Sequence, residues 1–495
     1  MMSIALQPVR RLRPLLEGVV ALDSGDDREI SGLSLDSRQV CGGGLFFGLP
    51  GAGRDGRCFI GDAIAAGAVT VLYEQQGWAF DQCRPGCYPV TDLSHRIGRI
   101  ASRFYGFPSR MLCAIGVTGT NGKTTCAALL AQALGALGRH SGFIGTVGWG
   151  MPGSLEATAM TTPDALTLQA QLAQLATQGA DSVCIEVSSH ALVQGRVEGV
   201  EFDVALFTNL SRDHLDYHQN MDDYAAAKLL LFQSNELRSA IINASDPWGV
   251  KFAEAGLSTR VWTFGTGAPA DVYPLSSDLG RDGMRLTLAT PRGEMAFCCP
   301  LLGGFNVANV AAVVTTLLAL DYAPEVICRI MPGLASVPGR MQMCAAADGT
   351  APMVVVDYAH TPAALEQALD TLDQQVTGEL WCVFGCGGDR DQGKRPQMGE
   401  VAGRCADHVV LTSDNPRSED PDRILADIAA GMRATPAAVL ADRRAAIAFA
   451  IDHAGADDLV LIAGKGHETH QVIADKVIPF DDRVVAEELL GVNRC

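Results

Sequence analysis

The sequence predicts an α/β protein of three domains, in which the two larger domains are built on mainly parallel sheets. Its 495 residues are enough for about three domains of roughly 150 residues, each with a core of its own. Two long stretches alternate strand-like apolar runs with helical patterns, as parallel sheets covered on both faces do. These observations divide the chain into residues 1–92, 93–338 and 339–495.

The apolar runs give the strands of each domain. In residues 1–92 they are short and separated by glycine-rich turns, as in Leu45–Leu49 and Val69–Tyr73, which predicts a small α/β domain. The middle domain has runs at Leu112–Thr118, Ser182–Val187, Val204–Leu210 and Ala240–Ala244. The last domain, predicted to be doubly wound, has runs at Met353–Asp357, Leu380–Gly385, His408–Thr412 and Leu459–Ala463. Each of these four ends in a turn rich in Gly or Asp, where open α/β sheets bind ligands.

Composition excludes several classes of protein. The 38 Lys and Arg against 56 Asp and Glu give a formal net charge of −18, which argues against nonspecific nucleic-acid binding and against docking on an anionic membrane. The longest apolar stretch, Val307–Leu320, is interrupted by polar residues and is too short for a membrane span. The 15 cysteines are scattered, with no C-x-x-C pair, and no secretory signal is evident. We therefore expect a cytoplasmic monomer that acts on small molecules.

A glycine-rich turn follows the first strand of the middle domain and precedes a helical pattern. Its glycines let backbone N–H groups approach phosphate oxygens, and the helix N-terminus favours an anion. Lys123, at the start of the helix, can bind the β- and γ-phosphates, and the Thr124 hydroxyl can bind Mg²⁺. Val117 replaces the first glycine of the strict pattern. The turn predicts a site for a nucleoside triphosphate and consists of Gly119, Thr120, Asn121, Gly122, Lys123, Thr124 and Thr125.

Acidic and histidine side chains follow the neighbouring strands. Glu186 ends one strand and His214 follows the next, so both are expected at the sheet edge that carries the phosphate loop. They are reasonable ligands for the hard cations that accompany a triphosphate. His214 and His218 are spaced i,i+4, which also suits zinc on one helix face and leaves a zinc hydrolase as an alternative. That alternative needs a third ligand, and the H-E-x-x-H motif is absent.

Lys228 lies in the helical pattern of Ala225–Phe232. From the residues alone we interpret it as a surface lysine whose aliphatic stem lies along an apolar face while its ammonium reaches solvent. Nothing in its immediate sequence indicates chemistry.

Several motifs together resemble those of the Mur ligases of peptidoglycan precursor synthesis, in that family's order and over essentially the whole chain. They are the phosphate loop, Glu186–His190, Asn209–His214, Gly304–Asn309 and Asp357–Pro362. Asp414–Arg417 is similar to the branch that adds meso-diaminopimelate, because lysine-adding relatives lack the Arg. The resemblance implies a UDP-binding first domain, a central P-loop ATPase and a Rossmann-like domain for the amino acid. It also implies an ATP-dependent amide ligase that joins diaminopimelate to UDP-MurNAc-L-Ala-D-Glu through an acyl phosphate.

The resemblance further implies which residues bind each substrate. For the UDP-MurNAc-dipeptide they are Leu35, Ser37, Ala52, Gly53, Arg54, Thr161, Thr162, Ser188, Gln194 and Arg196. For the nucleotide they are the phosphate loop, Asn306, Arg340 and Asp357, with His360 nearby. For diaminopimelate they are Arg390, Asp414, Asn415, Pro416, Arg417, Gly464 and Glu468.

The resemblance assigns the catalytic and metal-binding roles as well. The catalytic residues it implies are Lys123, Glu186, His214 and Lys228. Lys228 matches a lysine that the family carbamylates, and as N6-carboxylysine it would join Thr124, Glu186 and His214 as ligands of Mg²⁺. Two alternatives stay open beside the zinc hydrolase: a lysine-adding ligase of the same family and a regulatory NTPase that needs no amino acid.

Overall fold

The computed structural model describes residues 8–491 except 24, 52, 79–85, 215, 216, 235, 268, 281 and 345–349. The chain forms two compact units, Met1–Val272 with Ala312–Ala323, and Tyr273–Ala311 with Pro324–Cys495. Both contain parallel sheets covered by helices, so the predicted α/β class is confirmed. The boundaries near residues 92 and 338 stay a prediction.

The first unit begins with a small sheet and continues into a larger one. Its strands are β1 (Arg10–Arg11), β2 (Glu29–Ile30), β3 (Gly32–Ser34), β4 (Gly44–Gly48), β5 (Ala68–Glu74), β6 (Cys87–Val90), β7 (Cys113–Thr118), β8 (Ser141–Gly145), β9 (Gly148–Gly150), β10 (Ser182–Glu186), β11 (Val204–Phe207), β12 (Ser239–Asn243) and β13 (Arg260–Phe264). Its helices are α1 (Leu12–Leu15), α2 (Ile60–Ala65), α3 (Ser94–Tyr105), α4 (Lys123–Ala136), α5 (Ala165–Thr177), α6 (Ser189–Val193), α7 (Met221–Leu229) and α8 (Pro247–Ala253).

The larger sheet of this unit has the order β13-β12-β11-β7-β10-β8-β9. Its pairs are parallel except β8 with β9. The chain passes from β7 through α4 to strands on one side and later returns to β11 on the other. The carboxyl end of β7 therefore lies where the strand order reverses, which is where such sheets bind ligands.

The smaller sheet, β3-β4-β5-β6, is parallel throughout. One face packs with α1 and α3 into a core that also takes in Ala165 and Leu166 at the start of α5. Side chains such as Leu45, Phe47 and Leu72 are wholly buried there. The small domain is thus packed onto a helix of the larger sheet.

The second unit contains an antiparallel three-stranded sheet, a six-stranded sheet and a hairpin. Its strands are β14 (Tyr273–Gly280), β15 (Gly283–Ala289), β16 (Met295–Cys299), β17 (Gln342–Cys344), β18 (Met353–Asp357), β19 (Leu380–Phe384), β20 (His408–Thr412), β21 (Ala438–Leu440), β22 (Leu459–Ala463), β23 (His470–Ile473) and β24 (Lys476–Pro479). The remaining helices are α9 (Phe305–Ala319), α10 (Pro324–Ile330), α11 (Pro362–Asp373), α12 (Lys394–Cys405), α13 (Pro421–Ala429), α14 (Arg443–His453) and α15 (Asp482–Leu489).

The six-stranded sheet, β17-β18-β22-β19-β20-β21, is doubly wound. Successive side chains of its buried strands face opposite sides of the sheet and belong to two cores. Val355 packs with α11, α12 and α13, whereas Val354 and Val356 pack with α14 and α15. The four runs predicted from the sequence are β18, β19, β20 and β22, and they are parallel to one another where they pair. Among the described residues, no helix is long and apolar enough to cross a membrane.

A buried ion pair ties the carboxyl ends of two of these strands together. Arg443 and Asp482 have fully buried side chains, and the guanidinium Nε and Nη2 lie 2.7 Å from the two carboxylate oxygens. The same guanidinium donates to the carbonyls of Ser413 (3.2 Å) and Ala463 (3.0 Å), just past β20 and at the end of β22. Removing one member of such a pair leaves a buried charge without its partner.

We expect Arg443→Ala to lower the free energy of unfolding by about 3–5 kcal/mol, since it leaves Asp482 buried and unpaired. Urea unfolding followed by tryptophan fluorescence measures this. The matched control is Arg444→Ala, which removes a half-exposed pair with Glu488 and should cost at most about 1 kcal/mol. Equal effects of the two substitutions would contradict the structural role of the buried pair.

Candidate active site

The phosphate loop joins β7 to α4, as predicted from the sequence. Gly119 has φ +148°, and a Cβ there would collide with Thr208 Oγ1 and approach the backbone of Asn209. Gly122, the residue before α4, has φ +82°. Both positions therefore need glycine, because L side chains rarely adopt these conformations.

The end of β11 holds this loop in place. Asn209 Oδ1 accepts from the backbone N–H of Asn121 at 2.9 Å, and Asn209 Nδ2 donates to the Asn121 carbonyl at 3.1 Å. Thr208 Oγ1 also donates to that carbonyl, at 2.6 Å, and the Asn209 carbonyl accepts from Thr120 N–H. The motif that begins at Asn209 is thus a structural support of the loop.

Two lysines converge on one carbonyl of the loop. Lys123 Nζ donates to the carbonyls of Gly119 (3.0 Å) and Thr120 (2.9 Å), and Lys228 Nζ donates to the Gly119 carbonyl at 2.7 Å. Lys228 is 1% exposed, so its interpretation as a surface lysine with a solvent-exposed ammonium was wrong. Burial, followed by the nearby Lys123 charge, holds the pKa of Lys228 well below its ordinary value.

Glu186, at the end of β10, is completely buried next to the loop. Its carboxylate accepts from Thr124 Oγ1 at 2.8 Å and from the backbone N–H of Thr146 at 2.7 Å. Burial raises the pKa of Glu186, while Lys123 and these hydrogen bonds oppose the rise. The predicted proximity of Glu186 to the phosphate loop is therefore present. Thr146 was missed, because it follows β8 in a segment with no recognisable motif.

The residues expected to hold the dipeptide lie on the other side of Glu186. Thr162 Oγ1 donates to the Glu186 carbonyl at 2.7 Å, and Arg196 Nη1 donates to the Thr162 carbonyl at 3.0 Å. Ser188 caps α6 and its N–H donates to Thr162 Oγ1. Gln194 Oε1 accepts from Arg196 Nε at 2.9 Å. Thr161 completes this group through a 3.0 Å hydrogen bond to Thr146.

The structure does not place His214 and His218 on one helix face, as the alternative of a zinc site would need. His214 has φ +53°, a left-handed conformation outside the helices, and Tyr217–Asn220 before α7 form a turn and bends. His218 is buried and its Nε2 lies 2.9 Å from Ser189 Oγ. Among the described residues, no group of three or more His, Cys, Asp or Glu is arranged to hold a metal. The zinc-hydrolase interpretation therefore has no structural support.

Tyr224 links these histidines to Lys228. Its ring stacks on His218 with centroids 4.8 Å apart, lies edge-to-face with His214 at 6.2 Å, and lies 4.5 Å from Lys228 Nζ. Its hydroxyl is 3.2 Å from Thr120 Oγ1. Tyr224 is a further site residue that the sequence did not indicate, since its contact with the phosphate loop is made through Thr120, 104 residues away.

The residues expected to contact uridine lie in loops of the small domain. Ser37 begins a short 3-10 turn capped by Asp36, next to the half-buried Leu35. Gly53 and Arg54 are exposed in the following loop, and Ala52 lies outside the described residues. Among the described residues, Leu35, Ser37, Gly53 and Arg54 share no hydrogen bond with one another, and their role stays a prediction.

Three predicted nucleotide-binding residues belong to the second unit. Asn306 is buried and donates to the Leu302 carbonyl at 2.7 Å. Arg340 lies over the Tyr358 ring at 4.8 Å, and its buried Nε has no hydrogen-bond partner among the described residues. Asp357, at the end of β18, accepts from the N–H groups of Met341 and Ala359, both at 2.8 Å.

The predicted amino-acid site gathers at the carboxyl ends of β19, β20 and β22. Asn415 Nδ2 donates to Glu468 Oε2 at 2.8 Å, and Gly388 N–H donates to the Asn415 carbonyl. Arg417 has φ +50° and donates through Nη1 to the Gly388 carbonyl at 2.8 Å. Its backbone also pairs with β23. The strand ends thus bring this part of the predicted site together.

The other predicted members are close to this group. A Cβ on Gly464, which has φ +114°, would lie 2.6 Å from Asp414 Oδ2. Burial raises the pKa of Asp414, and Arg443 and Lys465 oppose the rise. A Cβ on Gly387 would lie 2.9 Å from Arg417 Nη1 and 3.8 Å from Arg390 Cγ. The Pro416 carbonyl accepts from Glu419 N–H.

Lys465 and Arg443 were missed at this site. Lys465 lies between the predicted residues Gly464 and Glu468, but its burial could not be seen from the sequence. Arg443 gives no signal in the sequence, because it opens α14 far from both strand ends that it holds.

Comparison with known proteins agrees with this geometry. Three family models match: the Mur ligase family catalytic domain at residues 29–105, the Mur ligase middle domain at 117–317, and the Mur ligase glutamate ligase domain at 339–466. A protein of Ectopseudomonas mendocina named UDP-N-acetylmuramoyl-L-alanyl-D-glutamate–2,6-diaminopimelate ligase is 48% identical, over 98% of each chain. A protein of the same name from Pseudomonas putida is 47% identical over 94% of this chain and 96% of its own.

A solved structure agrees as well. The structure of a UDP-N-acetylmuramoyl-L-alanyl-D-glutamate–2,6-diaminopimelate ligase is 38% identical, covers 98% of this chain and 99% of its own, and superposes with a TM-score of 0.75. Together with three family models that match most of the sequence, this similarity places the phosphate loop and both sheets in one known architecture. The chain belongs to the Mur ligase family.

Proposed function

We propose that the chain is an ATP-dependent, ADP-forming ligase that joins meso-diaminopimelate to UDP-N-acetylmuramoyl-L-alanyl-D-glutamate. The near full-length relatives carry that name for their own activity. We assign residues 1–92 to the UDP end, 93–338 to ATP and 339–495 to the amino acid. The reaction would take place in the cytoplasm, on small-molecule substrates, with the protein as a monomer.

One observation carries the proposal: hydrogen bonds lead from the phosphate loop through Glu186 to the residues expected to hold the dipeptide. Thr124 donates to the Glu186 carboxylate, Thr162 donates to the Glu186 carbonyl, and Arg196 donates to the Thr162 carbonyl. A phosphate site and a carboxylate site that share one buried residue suit the transfer of a phosphoryl group to a substrate carboxylate. An ATPase that phosphorylates no substrate would not need the hydrogen bonds that lead from Glu186 to Thr162 and Arg196.

The reaction proceeds in two balanced steps. The D-Glu side-chain carboxylate attacks the γ-phosphorus, the bond to the bridging oxygen breaks, and ADP leaves with that electron pair. The amine of diaminopimelate then attacks the acyl carbon, phosphate leaves, and the nitrogen loses a proton. Since an anion attacks an anion, charge neutralisation and positioning dominate catalysis. Lys123 and the loop N–H groups would neutralise charge at the phosphates, and Arg196 would hold the D-Glu carboxylate of the UDP-dipeptide.

The donors beside the loop fit Mg²⁺. Thr124 and Glu186 offer a hydroxyl and a carboxylate 2.8 Å apart, and Mg²⁺ prefers a few protein oxygens completed by water and phosphate. The charge of Lys123 acts on this buried carboxylate and opposes the rise of its pKa. When bound, Mg²⁺ would neutralise charge developing on the phosphates. His214 and a carbamylated Lys228 are the proposed ligands of a second ion.

Lys228 has the properties that carbamylation requires. Burial lowers the pKa of Lys228 and so favours the neutral amine, whose lone pair would attack the carbon of CO₂ while one C=O electron pair moves to oxygen and a proton leaves nitrogen. The product is an oxygen donor with a negative charge. That negative charge would attract the nearby Lys123.

Lys228→Ala should reduce activity by about a hundredfold or more, because it removes one of the charges that organise the phosphate site. Added formate or acetate should restore part of that loss by occupying the space of the carbamate. The measurement is initial rate at saturating substrates, with Lys251→Ala, an exposed lysine on α8, as the matched control. Full activity of Lys228→Ala without a carboxylate would refute the carbamate role.

Arg417 and Glu468 support specificity for diaminopimelate. Its distal centre bears both an ammonium and a carboxylate, which a carboxylate and a guanidinium recognise. Among described residues the Arg417 guanidinium makes one hydrogen bond, to Gly388, so further donors remain for a ligand. Lysine has no distal carboxylate and would leave this Arg unpaired at a cost of about 2–5 kcal/mol.

The decisive assay is phosphate release from ATP and the UDP-dipeptide with diaminopimelate, lysine or neither. We expect release with diaminopimelate to exceed that with lysine by about thirtyfold or more, the factor that corresponds to the smaller penalty. Faster release with lysine would favour the lysine-adding alternative, and equal rates would contradict the proposed specificity for diaminopimelate. Equal release without any amino acid would favour a regulatory NTPase.

A further inference from the structure

Lys465 is a fully buried cation to which the proposed reaction gives no role. It follows β22, and its side chain is 0% exposed. Its Nζ donates to Glu468 Oε2 at 3.0 Å and to Asn415 Oδ1 at 3.3 Å. A buried ammonium is stable only where an opposite charge and hydrogen-bond acceptors surround it. Glu468 and Asn415 provide these for Lys465, so its role is sought in these two contacts.

The three side chains form a closed triangle. Asn415 Nδ2 donates to the same Glu468 Oε2, at 2.8 Å, and Asn415 Oδ1 also accepts from the Val472 N–H at 2.9 Å. The amide orientation is therefore fixed from two sides. Oε2 receives two donors, whereas Oε1 receives no hydrogen bond from the described residues. Since the Glu468 side chain is 27% exposed, Oε1 remains available to a ligand.

Acidic side chains lie next to the triangle. Asp414 interacts with Glu468 and Lys465, and also with Arg443 and Asp482. The ammonium that every amino-acid substrate carries is a group that a carboxylate such as Glu468 recognises.

We propose that Lys465 is a positioning residue, whose ammonium holds Glu468 ionised and turned so that Oε1 is left for the ammonium of the incoming amino acid. The inference rests on the proposed function, because that function supplies the amino acid. Lys465 itself does not touch the substrate in this account. It acts through Glu468, whose carboxylate it holds together with Asn415.

The ionisation of Glu468 agrees with this geometry. Burial alone would raise its pKa, but Lys465 and the hydrogen bonds from Asn415 and Lys465 hold the pKa below its ordinary value. Without Lys465 the same burial would act unopposed by its nearest cation, so the pKa of Glu468 would rise. The other titratable groups that interact with Glu468 are His470, Tyr358, His467, Asp414 and Arg443.

Lys465→Met keeps the length of the side chain and removes the charge. In the full chain we expect the KM for diaminopimelate to rise about tenfold, with kcat and the KM for ATP changed less than twofold. The acid limb of kcat/KM for diaminopimelate should move to higher pH, because Glu468 then protonates earlier as pH falls. The control, Lys476→Met on exposed β24, should change neither. Unchanged diaminopimelate kinetics, or an equal rise in both KM values, would overturn the inference.

A double-mutant cycle with Glu468→Gln separates positioning from a general structural role. If Lys465 acts through the Glu468 charge, adding Lys465→Met to Glu468→Gln should leave the diaminopimelate KM unchanged. A further tenfold rise would overturn the inference. If Lys465→Met alone does not fold, the double variant can still be compared with Glu468→Gln, because it leaves no unpaired charge in the pair. If the wild-type chain shows no diaminopimelate-dependent phosphate release, the proposed function fails instead.

Discussion

The buried carboxylate of Glu186 is the group on which the arrangement of the first unit depends. It ends the strand beside β7, where parallel strands deliver their carboxyl ends to one edge of the sheet. A buried charge there must be matched by donors, and Thr124 and Thr146 provide them. The Glu186 carboxylate therefore holds the phosphate loop and the residue that follows β8, and Thr162, one of the residues proposed to bind the dipeptide, is bonded to the Glu186 carbonyl.

The second unit also contains buried charged groups that need partners, and here they are two cations. Arg443 holds the carbonyls that follow β20 and end β22, while Lys465 joins Asn415 to Glu468. Both act on backbone or side chains that flank the proposed amino-acid site. The chain carries a net charge of −18, yet its local sites are built around lysines and arginines. These two cations are matched by acidic side chains and carbonyl oxygens of the chain itself, so the overall charge does not describe the surroundings of the proposed site.

The sequence predicted the fold class, the parallel strands and the edge at which the site residues meet. Periodicity and glycine positions are local properties, so the phosphate loop and the ends of β18, β19, β20 and β22 were accessible. Lys228 was misinterpreted because its burial depends on Gly119, which is 109 residues away. Thr146 and Arg443 gave no signal for the same reason. The i,i+4 spacing of His214 and His218 left a zinc site open as an alternative, because spacing alone does not indicate the left-handed backbone conformation of His214.

The central claim is that a substrate carboxylate is phosphorylated before the amine attacks. The most direct test uses UDP-dipeptide labelled with ¹⁸O in the D-Glu side-chain carboxylate, together with unlabelled ATP and diaminopimelate, and mass spectrometry of the released phosphate. An acyl phosphate intermediate requires one carboxylate oxygen to leave with phosphate, so each phosphate formed with a fully labelled substrate should carry one ¹⁸O atom. Phosphate without the label, formed together with the amide product, would contradict the account.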